Sequence, residues 1–178
     1  MRIAFDSNVV TYFVQANQEG YDPLTDPDVN LAPQKVAAFQ LFLYSPLDPV
    51  VLPTVMQEVE AIPAVAIRQA HAIWVQYHWH EYLSSWLNQT MLETRAATLA
   101  AKHSGKRDCL VLAECEQSSA DTLATFDGDF ITHLKPETQV FLDTPVVCWD
   151  RLAVPRGAEP HVRLQSQHPL AHATWWRR

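Results

Sequence analysis

Short apolar runs in this chain repeatedly end at an acid or a proline and hand over at once to a helical pattern. That rhythm constrains the fold more than any other feature. Arg2 to Phe5 is a short apolar strand ending at Asp6-Ser7-Asn8, residues suited to capping a helix, and Val9, Val10, Phe13 and Val14 then share one helical face. Val50 to Leu52 is a second strand. Thr54 followed by Gln57 has the form of a capping box, which predicts a helix starting at Thr54 with Glu58 in its first turns. Thr122 to Phe126 is a third strand, ending at Asp127, and Val140 to Leu142 a fourth. Between them, Pro33 opens a helix with Val36, Phe39, Phe42 and Leu43 on its buried side. Pro63 to Leu83 and Leu87 to His103 read as two further helices, the second stopped by Ser104-Gly105, and Asp108 opens another with Val111, Leu112 and Cys115 toward the core. Val146 to Trp149 reads as a short strand or a helical start, and residues 15–30, rich in turn formers, as a loop. Strands alternating with helices imply an α/β fold, a parallel sheet sandwiched by helices with right-handed crossovers. Ligands of such folds sit outside the carboxyl ends of the strands.

Four acids fall at those handover points: Asp6, Glu58, Asp108 and Asp127. Carboxylates gathered in a cleft repel one another and lose hydration, so a chain that collects them there has a hard divalent cation to bind. Each acid alone also has a plainer role: Asp6 and Asp108 as helix caps, Glu58 as an exposed helical acid, Asp127 and Asp129 as turn residues around Gly128. At 178 residues and 48% hydrophobic, the chain has material for one core. It has no apolar run of membrane-spanning length and no apolar leader, which predicts a cytoplasmic protein without a membrane partner. Cys109, Cys115 and Cys148 are odd in number and lack CxxC spacing, so they read as small buried hydrophobes. Residues 1–150 hold 8 Lys+Arg against 19 Asp+Glu, a net −11, and residues 151–178 hold 5 Arg against 1 Glu, a net +4. An acidic body excludes passive coating of nucleic acid but not an enzyme that meets phosphates through bound metal.

The ordered set of DSN after the first strand, Glu58 early in a helix after VVLPTV, Asp108 opening a helix, and TFDGDF after a strand resembles a PIN domain. The likeness covers residues 1–150 and leaves 151–178 as an Arg-, Pro- and His-rich tail. It implies a metal-dependent ribonuclease that cleaves RNA to 3′-hydroxyl and 5′-phosphate ends, and many bacterial members are VapC-like toxins held by an antitoxin. It also implies Mg²⁺ or Mn²⁺, with Asp6 as central ligand, Glu58 and Asp108 holding ions directly or through water, and Asp127 completing the site. Asp129 competes for that last role, with Thr125-x-Asp127 the better match. Asn8 and Thr125 are expected to hydrogen-bond the ligand carboxylates or a metal-bound water. Two rival functions remain: an inactive PIN-like scaffold or RNA-binding module, and a haloacid-dehalogenase-type phosphatase. The second needs an acid two residues after the first aspartate, where Asn8 stands.

Other features carry less. Glu114, six residues beyond Asp108, is expected to be solvated. Trp74, Tyr77, His78, Trp79, His80, Tyr82 and Trp86 make an aromatic-rich helix, read as core plus an exposed face suited to a homodimer or antitoxin interface. His78 and Glu81 would share one face of it. The tail's Arg and Trp residues suit stacking on RNA, docking on the domain or disorder, and Lys102, Lys106 and Arg107 stand nearer the proposed site.

Overall fold

The computed structural model of the chain describes residues 1–18, 21–46, 49–78, 80–81, 84–161, 170–171 and 173–177, with side chains at 74–78, 80–81 and 84 outside that description. Its strands are β1 (Ile3–Phe5), β2 (Val50–Val51), β3 (His80–Glu81), β4 (Thr122–Ala124) and β5 (Phe141–Asp143). They form one sheet of order β3-β2-β1-β4-β5 in which every pairing is parallel. Ala4 pairs with Val50 on one side and Leu123 on the other, so β1 is central. Parallel neighbours cannot be joined by tight turns, and every crossover here carries helices. They are α1 (Ser7–Ala16) and α2 (Ala32–Tyr44), then α3 (Pro53–Glu60) and α4 (Val65–His78), then α5 (Gln89–Ala100) and α6 (Lys106–Gln117). A short α7 (Gly128–Leu134) joins the last two strands, and α8 (Pro145–Arg151) follows them. The chain runs outward from β1 to β3, then returns to β4 on the other side of β1. The order therefore reverses between β1 and β4, which opens a crevice at their carboxyl ends.

The expected α/β domain, a parallel sheet flanked by helices, is what the chain forms. One core joins all of its layers: Phe5, Phe13, Phe39, Leu52, Leu112, Leu123 and Phe130 are fully buried. Phe13 of α1 meets Phe39 and Phe42 of α2 at ring-centroid distances of 5.6 and 4.9 Å. Helix α2 was expected to bury one side, yet Ala37, Ala38, Leu41 and Tyr44 are buried as well, because it packs between α1 and α8. The three cysteines are free and buried, as their spacing suggested.

Several local expectations fail for identifiable reasons. The helix expected over residues 63–83 ends at His78, and His80–Glu81 continue as the edge strand β3, which suits a stretch dense in aromatics. Glu81 therefore does not share a helical face with His78. The side chains of Trp74, Tyr77, His78, His80 and Glu81, together with residues Trp79 and Tyr82, lie outside the described set. Helix α5 begins only after Asn88, whose side chain accepts from the Met91 amide. Past β4, Asp127 caps α7, where only a turn was expected; Phe130 and Leu134, four apart and buried, anchor it. Val146 to Trp149 is helical, within α8. In the tail, Leu170 and Trp176 are buried, and Trp176 Nε1 donates to the Leu170 carbonyl at 3.0 Å. Gln40 of α2 donates to the Trp176 carbonyl at 3.3 Å, and the Trp175 ring lies 5.4 Å from Phe39. Those tail residues dock on the domain.

Candidate functional site

Asp6 sits where β1 ends and α1 begins, beside the end of β4, and its amide donates to the Ala124 carbonyl at 3.0 Å. Its carboxylate is 5% exposed and surrounded by donors. Oδ1 accepts from the Ser7 amide at 2.7 Å, so Asp6 does cap α1. Oδ2 accepts from Asn8 Nδ2 at 2.8 Å and from the Thr125 hydroxyl at 2.6 Å. Asn8 is locked in turn, because its Oδ1 accepts from the Phe126 amide at 3.0 Å. That bond fixes which way the amide points, with its NH₂ toward Asp6. Asn8 and Thr125 thus hold one carboxylate from both sides of the crevice. Burial, the largest cause, pushes the Asp6 carboxyl up to about 6; the Thr125 and Ser7 bonds hold it down, and the charges of Glu58 and Asp108 push it further up. Three of the four expected acids therefore share one electrostatic neighbourhood.

Glu58 projects from α3 and Asp108 from the first turn of α6. Glu58 Oε1 is 3.5 Å from Arg107 Nη1, and a cleft of about 310 Å³ opens between these two residues and Ser7, Asn8 and Thr11 of α1. Asp108 Oδ2 lies 2.6 Å from His103 Nε2. Gly105 is what allows that approach: a Cβ at this position would collide with Asp108 Oδ2 and His103 Nε2. His103 escaped the sequence reading, though a histidine five residues before an acid at a helix start was a visible signal. Asp127 joins the group through the backbone. Its amide donates to Thr125 Oγ1 at 3.1 Å, and its Oδ1 accepts from the amides of Asp129 and Phe130. Asp129 is exposed, in the first turn of α7.

Two expectations near the site are overturned. Glu114 is 3% exposed rather than solvated: its oxygens accept from the Thr54 amide at 3.0 Å and the Thr54 hydroxyl at 2.7 Å. The capping box at Thr54 and Gln57 is absent for the same reason. Helix α3 starts at Pro53, its N-cap Leu52 offers no side-chain acceptor, and Thr54 spends its hydroxyl on Glu114. Burial pushes the Glu114 carboxyl up, its Thr54 bonds hold it down, and the Glu58 charge adds to the rise.

The donor set is all oxygen, which matches a hard divalent ion, and Mg²⁺ keeps several waters and needs only one or two carboxylates directly. Among the described residues, no group of three or more His, Cys, Asp or Glu side chains is assembled as a metal-ion site. Instead, Glu58 faces Arg107, Asp108 faces His103, and Asp127 caps its own helix. The residues fit a hydrated ion on chemical grounds, with Arg107 exposed and His103 nearly buried beside them.

No protein-family model matches the sequence, and no curated protein is significantly similar to it. Among solved structures, one described as "Crystal Structure of FitAcB from Neisseria gonorrhoeae" is similar at 14% identity and a TM-score of 0.45, covering 80% of this chain and 97% of that one. None of the described helices is long and apolar enough to cross a membrane.

Proposed function

We propose that this chain is a PIN-type, Mg²⁺- or Mn²⁺-dependent endoribonuclease. The observation that carries the reading is the buried Asp6 carboxylate, held by Asn8 and Thr125 at the reversal point of a parallel sheet with Glu58 and Asp108 acting on it electrostatically. Asp6, Glu58 and Asp108 would hold the ion, with Asp127 completing the set and Asp129 as the alternative. Such an ion supplies charge neutralisation at a phosphodiester and a water acidic enough to attack it. The protein's own share is positional. Asn8 and Thr125 keep Asp6 aimed, and Arg107 at the cleft wall is placed to meet a substrate phosphate.

The experiment is cleavage of labelled structured and unstructured RNAs with Mg²⁺, Mn²⁺ or EDTA, alongside Asp6→Asn. Metal-dependent cleavage lost in Asp6→Asn is expected; cleavage that survives both EDTA and the substitution sinks the metal reading. A second reading, an RNA-binding module without activity, is favoured by the pairing of Glu58 and Asp108 with basic neighbours, and predicts RNA bound but uncut in every metal. The phosphatase alternative loses further ground, because Asn8 is committed to Asp6 and to the Phe126 amide. Val65, Ile67 and Ile73 of α4 are each more than half exposed, which leaves apolar surface on this helix for a second copy or an antitoxin to cover. A toxin role predicts growth arrest on expression of the chain alone.

A further inference from the structure

The first turn of α3 lacks the cap that a helix start needs. Backbone N–H groups there have no partner within the helix, Leu52 contributes no side-chain oxygen, and Pro53 contributes no N–H. The Thr54 amide is instead taken by a carboxylate 60 residues away, Glu114 of α6, which also accepts the Thr54 hydroxyl. Both residues are buried, at 6% and 3% exposure. A charge-assisted pair of bonds in that setting is strong and directional.

The clamp joins the two helices that carry site acids. Glu58 follows Thr54 by four residues, one turn along the same face of α3. Asp108 precedes Glu114 on α6, about 9 Å along the axis at 1.5 Å per residue. Fixing Thr54 to Glu114 therefore constrains how far Glu58 stands from Asp108. Alanine at 114 would leave two buried donors on Thr54 unmatched and free the start of α3 to shift.

We propose that Glu114 is a positioning residue: by capping α3 from α6 through Thr54, it sets the separation of Glu58 and Asp108 across the cation site. The inference rests on the metal reading above. It assigns Glu114 no direct contact with the ion.

The test is Mn²⁺ binding by the full chain, stripped with EDTA and titrated calorimetrically without RNA, with thermal melting of every variant alongside. Glu114→Ala, which removes both bonds, is expected to weaken Mn²⁺ binding by about tenfold, the low end for groups that orient ligands, and Thr54→Val, which removes the hydroxyl bond and keeps the amide bond, by less. The double variant should bind no more weakly than Glu114→Ala, which already removes both bonds. Thr54→Ser keeps both donors and should keep wild-type affinity. Should Glu114→Ala not fold, Glu114→Gln, which keeps one acceptor oxygen, takes its place with an intermediate loss. Binding abolished in Glu114→Ala with wild-type binding in Thr54→Val overturns the proposal, because it marks Glu114 as a ligand. Unchanged affinity with lowered melting in both overturns it too, as a purely structural clamp. Wild-type protein that binds no Mn²⁺ removes the metal reading itself, a result separable from either.

Discussion

Asp6 is the residue at which chemistry and stability pull in opposite directions. Its carboxyl, normally near 3.8, is pushed up to about 6, chiefly by burial. A rise of about two units corresponds to about 3 kcal/mol against the ionised form in the metal-free fold, at roughly 1.4 kcal/mol per unit. The sign follows from linkage: with the folded value above the unfolded one, this stabilisation is complete below pH 3.8 and is lost as pH rises through 6. In EDTA, wild type should therefore lose about 2 kcal/mol relative to Asp6→Asn between pH 4 and 7 in urea unfolding. A flat difference across that range would show that the Asp6 carboxyl is not raised in the fold. Asp6 and Asn8 were legible locally, as residues at a strand end, whereas Thr125, 119 residues from Asp6, was tied to them only through the family resemblance. His103 was visible only as a histidine five residues before Asp108; that the two meet depends on the close approach that Gly105 permits, which spacing alone does not show. Gly105→Ala should break that contact, lowering stability by about 1–3 kcal/mol, as overpacking does. The check is a melting curve beside that of His103→Ala, which removes the same contact without the clash.

Elements announced by their own residues were read correctly, and those decided by distant partners were not. Helix α1 declared itself through a local cap and a four-residue apolar stripe, and β1, β2, β4 and β5 through apolar runs. Helix α3 was legible to within one residue of its start, but its cap was not, because that comes from α6, and no pattern around Thr54 points to position 114. The edge strand β3 was hidden for a similar reason: a run of aromatics continues a helical pattern until pairing with β2 claims it. Between α1 and α2, the loop expected from its turn formers is pinned by one buried ion pair. Lys35 Nζ lies 2.7 Å from Asp26 Oδ2, with both residues under 8% exposed. Removing one partner strands a buried charge, so Lys35→Ala should cost about 3–5 kcal/mol. Replacing both partners with apolar residues of similar volume should recover most of that loss, since a packed apolar pair often matches a buried ion pair. Denaturant unfolding of Lys35→Met, Asp26→Leu and the double variant measures it. A double variant as unstable as either single one would mean that the loop needs the charges themselves.

On the scale of the whole molecule, charge and burial divide the chain differently. Charge separates an acidic body of net −11 over residues 1–150 from a basic remainder of net +4. Burial does not respect that line, because Leu170 and Trp176 belong to the same core as Phe5 and Phe13. The sequence left the tail open between stacking on RNA and docking, since Trp and Arg serve both. What decides between them is a surface assembled from far away: Phe39 and Gln40 of α2, with Tyr21, whose ring lies 5.3 Å from Trp175. Trp176, with its ring buried and its indole N–H committed to the Leu170 carbonyl, offers no face on which a base could stack. Trp176→Ala should therefore behave as a core truncation, costing about 3–5 kcal/mol. At roughly 2–4 °C per kcal/mol for a domain of this size, melting should fall by on the order of 10 °C. Measured well below that lowered midpoint, RNA affinity should match wild type. A variant that stays as stable as wild type but binds RNA more weakly would instead place Trp176 at the nucleic acid.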